Sequence, residues 1–155
     1  MTNRPTGTVT FLFTDIEGST RLWESNPGVV QAAHARQEAI VRRAIEANGG
    51  YAYKMIGDAF QAAFTTALQA LSAAIAAQRD LHDEPWDPSA QIRVRMGLHT
   101  GVTEEREGDY VGPLLNRAAR LMSAGHGGQI LLSSVTAELA SDRAPARTSQ
   151  RSGLS

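Results

Sequence analysis

The sequence predicts an α/β fold, more closely an α+β two-layer sandwich with a ferredoxin-like βααββαβ core. Three observations carry this. Strand-patterned apolar runs and helically spaced segments follow one another in the order βααββαβ, loop, α, β, α. Two short strand runs within 51–64 meet at Gly57-Asp58, where glycine tolerates the backbone angles of a tight turn. The 155 residues, 42% hydrophobic and 20% charged, suffice for one domain with a sizeable core.

Residues 1–7 read as a flexible N-terminus and 8–140 as one folded domain. The β-branched and aromatic run from Thr8 to Ile16 is a buried strand. Arg21 to Ser25 opens a short helix, broken at Asn26-Pro27-Gly28. Val29, Val30, Ala33, Ile40, Val41, Ala44 and Ile45 recur at helical spacing over 28–47, and Asn48-Gly49-Gly50 stops that helix. The hairpin of 51–64 is followed by an Ala- and Leu-rich helix over 65–83 that ends before Pro85. A loop at 84–89 leads to the alternating run Gln91 to His99, a half-buried strand. Residues 100–112 are polar and glycine-containing and read as a turn or flexible loop. Leu114 to Ser123 is a helix with Pro113 in its first turn. A strand over 129–133 and a short helix capped by Ser134 and running to Ala140 complete the domain. Residues 141–155 lack apolar periodicity and are expected to be disordered.

Composition narrows the function. A formal net charge of -1 gives no electrostatic case for a nucleic-acid or membrane-surface partner. The absence of cysteine excludes disulfides, thiolate catalysis and Cys-ligated metal. No apolar run is long enough to cross a bilayer and no signal-peptide core is present, so the expected location is cytoplasmic. His34, His82, His99 and His126 show no metal-ligand spacing. His99, at a strand end, reads as structural, and Trp23 and Trp86 read as packing or interface residues.

Chemistry concentrates where the first strand ends. Asp15 is delivered there, and Glu17, Gly18, Ser19 and Thr20 lead into a helix. A carboxylate can hold a hard cation, and the free N–H groups of the turn can hold phosphate oxygens. Taken alone, Asp15 or Ser19 is equally well explained as a helix cap. Asp58 at the hairpin turn is a second carboxylate, and a split-βαβ sheet brings hairpin and first strand together. Two convergent aspartates beside a phosphate-binding turn can hold two divalent cations, Mg²⁺ or Mn²⁺. Taken alone, Asp58 is explained as a turn former.

Phe13-Thr-Asp-Ile-Glu-Gly-Ser-Thr20, Lys54-Met-Ile-Gly-Asp-Ala-Phe60 and Gly108-Asp-Tyr-Val-Gly-Pro-Leu-Leu-Asn-Arg-Ala-Ala-Arg120 resemble, in order and spacing, the class III adenylate/guanylate cyclase catalytic domain. The likeness runs from about residue 8 to residue 136 and is closest to bacterial adenylate-type members. The resemblance implies that Asp15 and Asp58 bind two metal ions with help from the Ile16 carbonyl. It implies that the amides of Ile16, Glu17, Gly18, Ser19 and Thr20 hold the triphosphate. Lys54 and Asp109 fall at the purine-reading positions, and Asn116 and Arg120 match the pair that orients the ribose and stabilises the transition state. The implied activity is conversion of ATP to 3′,5′-cyclic AMP and pyrophosphate, at sites shared across a homodimer.

A lysine donor and an aspartate acceptor complement the ring nitrogen and exocyclic amine of adenine. Guanine would leave buried groups mismatched at roughly 1–3 kcal/mol each, which argues against guanylate cyclase. Lys54 is the only lysine among 15 basic residues. Arg120 lies four residues after Asn116, on the same helical face. Family members usually continue past the last helix with a strand pair carrying a basic triphosphate-binding residue; residues 141–155 show no strand pattern and no lysine, so either Arg143 or another tail arginine is the expected substitute or phosphate binding is weaker. That departure keeps open a second reading, a catalytically silent cyclase-like module that binds a nucleotide or a partner.

Overall fold

The computed structural model describes residues 4–141. Its elements are β1 (Thr8–Ile16), α1 (Ser19–Ser25), α2 (Pro27–Ala47), β2 (Tyr51–Ile56), β3 (Ala59–Phe64), α3 (Ala67–Asp83), β4 (Val94–Val102), β5 (Glu104–Arg106), β6 (Asp109–Val111), α4 (Pro113–Ala124), β7 (Ile130–Leu132) and α5 (Ser134–Ser141). The main sheet has the order β2-β3-β1-β4-β7. All neighbours are antiparallel except β4 and β7, which run parallel. This is the mixed sandwich that the pattern of runs predicts. The most apolar strand, β1, sits at the centre because both of its faces are buried.

Alternation along β1 sorts two cores. Leu12 and Ile16 face α2 and α3, where Ile40, Val41 and Ile45 meet Ala70, Ala73, Ala74 and Ala77. The alanine stripe of α3 lets that helix lie close to its neighbours. Val9, Phe11 and Phe13 face the other way, toward Tyr110 and Ala118. This second face is covered, among the described residues, by α4 and the β5–β6 hairpin.

The seating of α4 depends on two glycines of β4. A Cβ on Gly97 would lie 2.6 Å from the Met122 nitrogen and 3.1 Å from the Ala118 oxygen, and one on Gly101 would lie 2.4 Å from a Leu114 methyl. The helix backbone therefore rests almost directly on the strand.

One element departs from expectation. Residues 100–112 are not a loop: β4 continues to Val102, and β5 and β6 form a hairpin with Arg106 opposite Asp109. The Glu-Glu-Arg of β5 has no apolar alternation, so nothing local announces a strand. Glu107 and Gly108 make the two-residue turn with φ of 54° and 85°. Glutamate is unfavourable in that left-handed region. Glu107→Gly is expected to raise stability by about 0.5–1 kcal/mol, read as a higher thermal midpoint.

Boundaries shift slightly elsewhere. β4 begins at Val94 rather than Gln91, and Ser133 rather than Ser134 sits before α5, its Oγ accepting from the Thr136 N–H at 3.4 Å. Within the segment 1–7, read as flexible, Tyr110 Oη donates to the Pro5 carbonyl at 2.6 Å and the Arg4 guanidinium lies 4.2 Å from the Tyr110 ring centre. The expected disordered tail of 141–155 is corrected at its first residue, because Ser141 is the last residue of α5; residues 142–155, with Arg143, lie outside the described residues.

Candidate active site

Asp15 and Asp58 arrive at one place from two different strand ends. β1 pairs with β3, so the turn at Gly57-Asp58 stands beside the end of β1. Gly57 takes φ 60°, the geometry that lets the chain reverse in two residues. Both aspartates line an open cleft of about 890 Å³, together with Ile16, Ser19, Thr20 and Arg95. The Ile16 side chain is buried in the core, so it presents main chain to the cleft.

Asp15 is not a helix cap. Its carboxylate accepts two hydrogen bonds from Arg95, from Nε at 2.8 Å and from Nη2 at 2.5 Å. The two residues are directly opposed across β1 and β4, so strand register delivers this fork-to-fork pair. The hydrogen bond to Asp15, before the charges of Glu17 and Asp58, holds Arg95 in its charged form more firmly than usual. Sequence reasoning missed Arg95, because its partner is 80 residues away.

The turn after β1 is built as a main-chain cradle. Gly18 stands at the N-cap of α1 with φ 69°, and no side chain caps the helix. Ser19 and Thr20 line the cleft, whereas Glu17 does not. The Glu17 N–H donates to the Arg93 carbonyl at 2.8 Å, and its carboxylate accepts from the Gly127 N–H at 3.0 Å. Glu17 therefore tethers the turn to neighbouring backbone, a correction to its expected place among the phosphate amides. Trp23 and His34, with ring centres 5.9 Å apart, also line the cleft; neither belonged to the expected site.

Lys54, Asp109, Asn116 and Arg120 do not line this cleft; all four are exposed. Lys54 reaches the α4 side of the sheet through a bulge. Register runs from Ala52 opposite Ala62 to Lys54 opposite Gln61, so Tyr53 and Lys54 together face one residue. Gln61 lies one residue from both Phe60 and Ala62, which point into the α2–α3 core, so Gln61 and Lys54 share the other face. Asn116 and Arg120 stand on the outer surface of α4, whose only fully buried residue is Ala118.

The cleft suits a hard cation. Among the described residues no cluster of three or more His, Cys, Asp or Glu could form a cage. Two carboxylates and main-chain oxygen, with remaining positions left to phosphate and water, match the way Mg²⁺ is commonly held. A carboxylate has lone pairs enough to serve Arg95 and a metal ion together.

His99 is structural, as its position suggests. It is buried, and its Nδ1 lies 2.8 Å from Ser133 Oγ. Burial first, and the charge of Arg117 second, push its pKa down. A lowered folded pKa means the unfolded chain binds the proton first, so stability is complete above the ordinary histidine value and is lost as pH falls below about 6.5. His99→Gln is expected to flatten the acid side of a stability–pH profile followed by urea unfolding.

The family model described as the adenylate and guanylate cyclase catalytic domain matches residues 1–153. The chain belongs to that family. The cyclase domain is 44% identical over 92% of its length to an uncharacterised Mycobacterium tuberculosis protein, of which the match spans 48%. It is 38% identical over 84% of its length to an adenylate cyclase of Lachancea kluyveri, of which it spans 8%. The cyclase domain thus covers about half or less of these relatives. A structure of a Trypanosoma brucei adenylate cyclase in its monomeric state superposes with a TM-score of 0.78 at 30% identity, covering 86% of this chain and 76% of that one. Among the described residues, no helix of the cyclase domain is long and apolar enough to cross a membrane.

Proposed function

We propose that this domain is an adenylate cyclase that converts ATP to 3′,5′-cyclic AMP and pyrophosphate at sites shared by two copies of the chain. One observation carries the reading. The carboxylates and phosphate cradle share one cleft, while Lys54, Asp109, Asn116 and Arg120 are exposed and do not line it. One chain offers two half-sites, and a two-fold homodimer joins unlike halves twice over.

In this reading Lys54 donates to an adenine ring nitrogen and Asp109 accepts from the exocyclic amine. The N–H groups of Gly18, Ser19 and Thr20 receive phosphate oxygens. Asp15, Asp58 and the Ile16 carbonyl hold two Mg²⁺ or Mn²⁺ ions, which supply Lewis-acid charge to the triphosphate. Arg95, held by Asp15 in the lining of the same cleft, supplies positive charge beside the triphosphate, the role for which a tail arginine such as Arg143 was the expected candidate. The Asn116 amide orients the ribose. The ribose 3′ hydroxyl passes its proton to solvent water, its oxygen forms a bond to the α-phosphorus, and the bond from that phosphorus to the bridging oxygen of pyrophosphate breaks. Arg120 faces the charge that builds on the α-phosphoryl oxygens. Catalysis is positioning and charge stabilisation.

The test is cyclic AMP formation from ATP by the purified chain with Mn²⁺ and then Mg²⁺. Lys54→Glu combined with Asp109→Gly is expected to shift the ATP to GTP ratio of kcat/KM toward GTP by at least about 30-fold, since two mismatched groups cost roughly 1–3 kcal/mol each. A ratio that does not move overturns the purine-reading assignment. A folded dimer that binds ATP without turnover returns the domain to a silent nucleotide-binding module.

A further inference from the structure

The residues that immediately precede Lys54 and follow Asp109 touch each other. The Tyr53 and Tyr110 rings meet edge-on with centres 4.9 Å apart, and both meet Phe11, at 6.1 Å and 5.1 Å. Tyr53 Oη donates to Gln61 Oε1 at 3.0 Å, and Gln61 is the residue that Lys54 opposes across the bulge.

The hairpin that carries Asp109 is three residues on each strand. An isolated hairpin of that size does not hold itself in water. Its single buried residue is Tyr110, 3% exposed. Tyr110 is pinned on three sides: by the aromatic cluster, by the Arg4 guanidinium over its ring, and by donation to the Pro5 carbonyl. Arg4 also lies 3.7 Å from Glu105 on the facing strand of the hairpin and within 5.9 Å of the Tyr51 ring centre. One cation thus ties the hairpin to the strand that bears Lys54.

We infer that Tyr53 and Tyr110, clamped by Arg4, are positioning residues that set the placement of Asp109 relative to Lys54 and so the purine selectivity of the domain. The inference rests on the reading of Lys54 and Asp109 as the purine-recognising pair. The cluster acts by fixing the two side chains beside it, as a donor and an acceptor must be spaced to match one purine edge. Burial raises the Tyr53 phenol well above its ordinary value, and Asp109 is close enough to add to that rise, so the phenol stays a neutral donor to Gln61.

The experiment compares ATP and GTP as competitors of a fluorescent ATP analogue with Mn²⁺ present, alongside kcat/KM for each nucleotide. Binding remains readable whether or not the chain turns over. Tyr110→Phe keeps the ring and removes the tie to Pro5; Arg4→Ala removes the clamp; Asp109→Asn serves as the reference for the pair itself. Arg4→Ala and Tyr110→Phe are expected to lower the preference for ATP over GTP by about three- to tenfold, since small misplacements of binding groups carry such costs. The more drastic Tyr110→Ala is not needed, so the outcome does not depend on a variant that fails to fold. Parallel loss of both nucleotides, or no change, while Asp109→Asn does alter the preference, overturns the positioning role alone. A preference untouched by Asp109→Asn, or absent from the wild type, removes the purine-reading assignment and the inference with it.

Discussion

Asp58→Asn is expected to lower cyclic AMP formation at least about 100-fold, or roughly 2.7 kcal/mol of transition-state stabilisation, with the fold intact. Asparagine keeps the size of the side chain and the turn at Gly57, where φ is 60°. What it removes is one of the two strand-end carboxylates of the cleft; Glu24 also lines it, but among the described residues no third acid joins Asp15 and Asp58 in a group that could hold a metal ion. Arg120→Ala is expected to be similarly inactive for a different reason, since that side chain stands outside the cleft. Mixing the two inactive chains then becomes informative. Each mixed dimer pairs one intact cleft with one intact α4, so random exchange should restore about a quarter of the wild-type sites. Recovery on mixing supports sites shared between copies. Mixtures as inactive as their components would place the whole site within one chain and overturn that arrangement.

Gly97→Ala is expected to act on stability and activity together. The new methyl would meet Met122 backbone at 2.6 Å and Ala118 backbone at 3.1 Å. Backbone cannot rotate aside as a side chain can, so α4 must lift from β4. Overpacking of this kind costs about 1–3 kcal/mol. Asn116 and Arg120 ride on that helix, and a displacement of about 1 Å can lower kcat on the order of 100-fold. Chemical unfolding should register the first effect and turnover at saturating ATP the second. Gly28→Ala is the control: it has no neighbour within 4 Å and should leave both unchanged. Full activity in a stably folded Gly97→Ala chain would show that the close seating of α4 does not govern the site.

Much of this architecture is written in short stretches. Thr8–Ile16 is apolar on both faces and takes the centre of the sheet. Gly57-Asp58 turns a hairpin because the residues around it alternate and the glycine accepts the turn. Asp15 and Asp58 were legible as a pair once β1 and that hairpin were taken as neighbours. The β5–β6 hairpin was not legible, because its three-residue strands are held by Tyr110 packing on distant Phe11 and Tyr53. Glu17 looked like part of the phosphate turn, yet its bonds go to Arg93 and Gly127.

By itself the sequence determined which segments become strands and helices, which carboxylates stand at turns, and which family the motifs resemble. All of these depend on the order of near neighbours, where periodicity, turn chemistry and motif spacing operate. Only the tertiary structure decided that a bulge at Tyr53 turns Lys54 to the α4 face, that Arg95 grips Asp15, and that the rings of Tyr53 and Tyr110, chain neighbours of Lys54 and Asp109, meet. Those arrangements are fixed by strand register and by packing between residues far apart in the chain. A single-residue slip in register would exchange the faces without altering any local pattern.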